Sequence, residues 1–349
     1  MALGYSDLML RHSIYIQRVA TRIYRDGMAS ALDEMQRVLY YVDVDDINAR
    51  ELGAAMTRAR QSVREALIAA GEYVQSELLQ YAEYEATYQA DAIPVQLTLP
   101  TVAQITKATV RAPMVLSTTQ SILISRLLDD YIDATAKSVT GAIKAAYDSG
   151  QSTSDLRRII RGTREANYTD GLIAYNKRHA ETVVRTGLAH YADGARVALA
   201  RANPDLIERW QYLATLDGRT TLQCRYYDGR IYSMGNKRAP RIPGHYNCRS
   251  TRLLIARGSK YASPTRPSRG ADGAKVVPGN IGQTAWLRQQ PREWLEDALG
   301  AKWRAQLMDR GITVREMWRV AAKRPYTLAE LRRSDSEQIR SALKEAGLL

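Results

Sequence analysis

The chain has 349 residues, 45% of them hydrophobic and 25% charged, a balance that builds a buried core without disulfide or metal staples. Two cysteines, Cys224 and Cys248, exclude a disulfide framework. The longest uncharged stretch, residues 92–106, contains Pro94 and Pro100, so no segment reads as a membrane-spanning helix. The formal net charge is +13, and the excess is local: residues 1–150 carry 14 basic and 18 acidic side chains, residues 151–280 carry 23 and 10, and residues 281–349 carry 13 and 9. A basic segment of that size is suited to a polyanion or an acidic protein face.

Arg11, His12 and Arg18 fall where a signal peptide would be apolar, so secretion by that route is not expected and a reducing cytoplasm is the expected site of synthesis. Residues 1–114 read as a helical N-terminal region. Met56, Ala59, Val63, Leu67, Ala70, Val74, Leu78 and Tyr81 recur at spacings of three and four. An unbroken helix over residues 53–88 would be about 53 Å long. Its stripe is suited to packing on a partner helix or docking another chain. Pro94, Pro100 and Pro113 bracket β-branched residues, which predicts an extended connector over 93–114.

A long-helix region follows over 115–204. Leu123, Leu127, Ile132, Ala136, Val139, Ile143 and Ala146 carry a helical period through 116–147. Gly150 and the run Ser152-Thr153-Ser154-Asp155 mark a stop and a capped restart. A third long helix is predicted over Leu172–Ala202, ended by Asn203-Pro204.

Residues 205–257 read as a small β-rich module. Strands are predicted at 209–215, 230–232 and 250–256, with turns at Asp217-Gly218 and Asp228-Gly229. Residues 258–283 are rich in Gly, Pro and Ser and read as a linker. Residues 284–349 return to helix, with a capping box at Thr327 and Glu330. The fold class expected is α+β, because strands and helices do not alternate. Phenylalanine is absent and tyrosine occurs 21 times, so buried aromatic positions fall to Tyr wherever its hydroxyl can reach a partner.

Chemistry concentrates in the module. Cys224, His245 and Cys248 are zinc-type ligands, and Asp217 or Asp228 is the candidate fourth. The same residues, with Asn247, suggest an alternative: a metal-dependent nuclease or toxin-like enzyme. Such sites use a companion histidine, but His179 and His190 fall on the predicted third helix. No P-loop, nucleophile elbow or H-E-x-x-H motif occurs. Nonspecific phosphate contact is expected from Arg157, Arg158, Arg161, Arg164, Lys177, Arg178, Lys237, Arg238, Arg241, Arg252, Arg257, Lys260, Arg266 and Arg269.

The pieces from about residue 150 to 333 form an ordered set. Arg185-Thr186 lies on the third helix, followed by Asp217-Gly-Arg219-Thr220 and Cys224. Asp228-Gly229 comes next, then Pro243, His245, Asn247, Cys248 and Arg249, and finally Glu293-Trp-Leu with a helical tail. In this order they resemble the phage Mu F-type head morphogenesis family, also called minor head or minor capsid proteins. The chain departs from the family pattern at Gly187, where Glu is frequent, at Ser250, where a further Cys is frequent, and in having Cys224 without a neighbouring Cys.

The resemblance implies a non-enzymatic virion protein, made in the host cytoplasm and placed inside the capsid near the portal. It would support head assembly and genome delivery. Its partners would be the portal protein, a major capsid or scaffold protein, and double-stranded DNA bound without sequence preference. The region 1–114 is left for portal or capsid docking, and no cofactor is required, with zinc as the one candidate.

Overall fold

The computed structural model describes residues 15–16, 18–117, 120–259 and 265–349. Helix begins the described chain, passes through a π-helical turn at Tyr24–Ala29 and continues as α1, Ser30–Tyr40. Helix α2 then runs Ala49–Ala92, 44 residues or about 66 Å. It starts earlier than its apolar stripe because Asn48 caps it. The Asn48 side chain accepts from the Arg50 and Glu51 amides at 2.9 and 3.1 Å, while Glu51 accepts from the Asn48 amide at 2.8 Å. Seven of the eight stripe residues are buried, from Ala59 to Tyr81, and Met56 is partly buried.

The predicted connector over 93–114 is not wholly extended. Helix α3, Val102–Ala108, forms there behind a Thr101–Gln104 capping box. A two-stranded antiparallel pair follows, β1 (Met114–Val115) with β2 (Ser121–Ile122). Helix α4 therefore begins at Ile124 and ends at Asp148. Helix α5 (Thr153–Arg161) starts on a Ser152–Asp155 capping box, and α6 spans Leu172–Ala202, as its sequence predicts. Helices α2, α4 and α6 share one apolar core with α1 and α5.

A Cβ built at Gly187 would lie 2.9 Å from Ile124 Cδ1 and 3.0 Å from Leu78 Cδ1, so a side chain there must displace these two methyl groups where α6 meets α2 and α4.

The later half is mixed. Strand β3 (Ile207–Leu213) is central between β5 (Ile231–Ser233) and β6 (Thr251–Ala256), all antiparallel. A second sheet pairs β4 (Leu216–Asp217) in parallel with β7 (Thr265–Gly270), which forms a hairpin with β8 (Gly273–Pro278). The reading of 258–283 as a linker is therefore corrected: 265–278 is sheet. The reason is long-range. Arg266 of β7 is buried and forks onto Asp228, Nη1 to Oδ2 at 2.9 Å and Nη2 to Oδ1 at 2.8 Å.

Helix α7 (Leu222–Tyr227) lies between the Asp217-Gly218 and Asp228-Gly229 turns. The tail forms α8 (Gln283–Leu287), α9 (Arg292–Leu299), α10 (Lys302–Asp309), the short pair β9 (Trp318–Arg319) and β10 (Arg324–Pro325), α11 (Leu328–Arg332) and α12 (Glu337–Glu345). Their core takes in Leu216, Leu222 and Tyr226, so the tail packs on the module instead of standing apart from it. The architecture is mixed α+β, helical first, with small sheets and then short helices. No helix among the described residues is long and apolar enough to cross a membrane.

Buried charge fastens the two halves. Arg196 of α6 donates to Glu85 of α2 at 2.7 Å and to the Arg252 carbonyl of β6 at 3.0 Å. Arg252 in turn forks onto Asp193 of α6 at 2.8 and 3.1 Å, with its guanidinium 3.7 Å from the centre of the Trp210 ring. These charges are all but excluded from water, so each needs its partner in place.

Candidate functional site

The residues that carry the resemblance meet where α6, the β4–α7 turn and the loop before β6 come together. Thr186, fully buried on α6, donates to the Thr182 carbonyl at 2.7 Å and accepts from the Asn247 amide at 3.0 Å. Asn247 holds a left-handed backbone, φ 56°, which Asn tolerates better than most residues. Its side chain donates to Thr182 Oγ1 at 3.1 Å. Arg185, the neighbour of Thr186, pairs with Glu181 one turn earlier. Asp217 accepts from the Arg219 amide at 3.0 Å, from Thr220 Oγ1 at 2.9 Å and from a fork of Arg249. Gly229 takes φ 76° after Asp228, and Pro243 follows a cis peptide bond.

Asp217 is partly desolvated, which alone would raise its pKa. The Arg249 hydrogen bond and charge, with Thr220 and the Arg219 amide, outweigh burial and hold it below the ordinary carboxylate value.

Cys224, His245 and Cys248 come together although 24 residues separate the two thiols. The Cys224 sulfur lies 3.1 Å from His245 Nε2 and 3.9 Å from the Cys248 sulfur. Ligands of a tetrahedral zinc would stand about 3.8 Å apart for two sulfurs and about 3.5 Å for sulfur and nitrogen, given usual bond lengths. The two spacings from Cys224 therefore match a shared ion to within a few tenths of an ångström, and all three donor atoms lie within 4.8 Å of one another. His245 Nδ1 lies 2.8 Å from the Tyr246 carbonyl, which leaves Nε2 as the ligand atom if Nδ1 carries the proton.

Asp217 and Asp228 do not join this group, which corrects the expected four-ligand set. Both carboxylates are consumed elsewhere, Asp217 by Arg249 and Thr220, and Asp228 by Arg266 and the Ala214 amide. A void of about 20 Å³ lies beside the cluster, lined by Thr221, Cys224 and His245, room for about one water.

In the protein without metal, the three groups shift one another's pKa values. Hydrogen bonding from Cys248 draws the Cys224 pKa well down against the pull of burial, and His245 assists. The Cys248 thiol is correspondingly pushed up by holding its proton for Cys224 and by burial. Burial works against the His245 cation, but the Cys224 hydrogen bond and charge outweigh it and raise the His245 pKa. The direction is a Cys224 thiolate facing a His245 imidazolium. The companion histidines are elsewhere: His179 packs on Tyr175, and His190 is buried against the Thr109 carbonyl at 2.9 Å.

The basic candidates divide. Arg158, Arg161, Arg164, Arg178, Lys237, Arg238, Arg241, Arg257 and Arg269 are exposed. Arg157 and Lys177 are half-buried, Arg157 donating to the Tyr40 carbonyl and Lys177 pairing with Asp33. Arg252 and Arg266 are corrected: both are buried and neutralised by Asp193 and Asp228, so neither reaches a phosphate. Lys260 lies outside the described residues.

Sequence reasoning missed Arg225. Its buried guanidinium donates to the Thr220 carbonyl at 2.9 Å, the Asp217 carbonyl at 2.7 Å and Gln283 Oε1 at 2.7 Å, and burial lowers its pKa to about 10. It pins the β4–α7 turn to α8. Asp193 and Arg196 were also missed, although two charges three apart on the apolar stripe of Ala192, Ala195 and Leu199 signal buried ion pairs.

No protein family, curated protein or solved structure matches the chain.

Proposed function

We propose that the chain is a minor head protein of a phage virion, a binding and assembly module without turnover. It would sit inside the capsid near the portal and contact portal protein and packaged double-stranded DNA. One observation carries this reading. The motif pieces that resemble the Mu F-type family, as much as 61 residues apart, bond to one another and make a structural joint between α6 and the module. Their polar atoms are spent on Thr186, Asp217, Asp228 and their partners, and the exposed arginines lie outside this joint. The alternative, a nuclease or toxin-like enzyme on Cys224, His245 and Cys248, has less behind it: both thiols are buried, and His179 and His190 lie away from the cluster.

Zinc at the cluster would act as a staple, held by Cys224, His245 and Cys248 with a water completing the shell. The test of function is quantitative mass spectrometry of purified particles and of DNA-free proheads. A few copies per particle in both supports assembly with the portal before packaging. Absence from both overturns the reading. Cleavage of DNA that needs a divalent ion and disappears in His245→Ala would support the enzyme instead.

A further inference from the structure

A second site lies away from the motif, in the helical half. The loop after α1 and the start of α5 are bolted together: the Val44 amide donates to Thr153 Oγ1 at 2.9 Å, and the Thr153 amide donates to Asp45 Oδ1 at 2.8 Å. Helix α5 ends at Gly162, φ 94°, and the chain returns through Asn167 and Tyr168, both left-handed at φ 49° and 58°. Asp170 holds the loop by accepting from the Thr163 amide and hydroxyl, each at 2.8 Å. Between this loop and the end of α1 is an open groove of about 540 Å³.

The groove has a consistent chemistry. Arg157, Arg158, Arg161 and Arg164 line it, against one lining acid, Glu165. Arg158 is paired with Asp155, but Arg161 and Arg164 make no ion pair with any described residue. Two exposed tyrosines face the same space: Tyr40 at 57% and Tyr168 at 40% exposure. Each ring carries a guanidinium, Arg157 at 4.5 Å from the Tyr40 centre and Arg161 at 4.4 Å from that of Tyr168. Arg161 and Arg164 without ion pairs among the described residues, beside exposed tyrosines that each carry a guanidinium over one ring face, are the two parts of a single-strand platform, charge for the backbone and rings for the bases.

We infer that this groove binds single-stranded nucleic acid, with phosphates on Arg158, Arg161 and Arg164 and bases stacked on Tyr40 and Tyr168. The inference rests on the nucleic-acid part of the function proposed above, and it adds a strand preference. In a duplex the base faces are stacked on each other, so the tyrosines would go unused. An acidic peptide would use the arginines alone.

The test is fluorescence anisotropy on the full chain with a short labelled oligothymidylate, a duplex of equal length, and oligoglutamate as competitor. The expected result is tighter binding of the single strand than of the duplex, with poor competition by oligoglutamate. Tyr168→Ala should weaken single-strand binding about 5-fold to 150-fold, while Tyr168→Phe keeps the ring and the binding. The log–log salt slope should be about −2 for three phosphates, and Arg161→Ala with Arg164→Ala should reduce it by about 1.4. Far-UV circular dichroism checks that these exposed substitutions leave the fold intact. Equal or tighter duplex binding untouched by Tyr168→Ala overturns the inference, as does effective competition by oligoglutamate. If only the duplex binds, and Lys237→Ala with Arg238→Ala abolishes it, the groove fails while the DNA-binding reading stands. If neither nucleic acid binds, both fall.

Discussion

Replacing Asp228 tests how the module is held. Its two oxygens take the Arg266 fork and the Ala214 amide, the latter at 2.8 Å, and both charged side chains are nearly inaccessible, at 1% and 3%. Asp228→Ala leaves the guanidinium buried with only the Ala214 and Ile281 carbonyls as acceptors. Breaking a buried pair on one side costs about 3–5 kcal/mol. The pair Asp228→Leu with Arg266→Met removes both charges. It should cost less, about 1–3 kcal/mol, because the Ala214 amide and the Ala214 and Ile281 carbonyls lose partners but no charge is left buried alone.

All five tryptophans, Trp210, Trp286, Trp294, Trp303 and Trp318, lie beyond residue 205, so tryptophan fluorescence reports on this half alone. In urea, the single variant should lower the midpoint by about 1–2 M at a slope of about 3 kcal/mol/M. A loss below about 1 kcal/mol for Asp228→Ala, or a double variant worse than the single, refutes the claim that this pair fastens β7 to the module.

Three further outcomes follow from the same geometry. Gly194→Ala would place a Cβ 2.6 Å from the Ala108 carbonyl oxygen and 2.6 Å from Thr109 Cγ2, so α6 must separate from the end of α3. Despite better helix propensity, a loss of about 1–3 kcal/mol is expected in urea melts followed by far-UV dichroism, and a gain would contradict the packing. Burial lowers the His190 pKa below its ordinary 6.5, against smaller raising effects from the Thr109 carbonyl and Asp193. The unfolded chain therefore takes up the proton first, so His190 contributes stability above pH about 6.5 that is lost as pH falls through its folded pKa. His190→Gln should flatten that part of the stability–pH curve, and an unchanged slope would count against a neutral buried imidazole. Protein prepared with zinc should carry about one equivalent by elemental analysis, and Cys248→Ser should lose it; a metal-free wild type under those conditions ends the staple reading.

Local signals were readable directly. The stripe from Ala59 to Tyr81 and the limits of α6 follow from helical period and the Asn203-Pro204 stop, because a 3.6-residue repeat and a capping residue act over a few neighbours. The Ser152 and Thr327 caps were legible for the same reason. Tyrosine in place of phenylalanine was legible as a demand for partners. Tyr81, Tyr131 and Tyr212 meet it through Glu85, the Asn176 carbonyl and Cys224, whereas the buried Tyr191 hydroxyl finds no partner among the described residues.

Partners distant in sequence were not legible. The run Thr265-Arg-Pro-Ser-Arg-Gly reads as linker because a polar residue signals exposure unless its counter-charge is known, and the counter-charge is Asp228, 38 residues earlier. The same applies to Arg252 and Asp193, and to Arg225 with its carbonyls. Sequence alone determined which side chains were chemically able to act: the arginines, the thiols, His245 and the helical stripes. Tertiary structure decided which arginines are buried in ion pairs and which remain exposed, and that two thiols 24 residues apart share one imidazole. The physical reason is that helix period and capping are set by adjacent residues. The state of a charge or a thiol is set by whatever the fold places within about 4 Å of it.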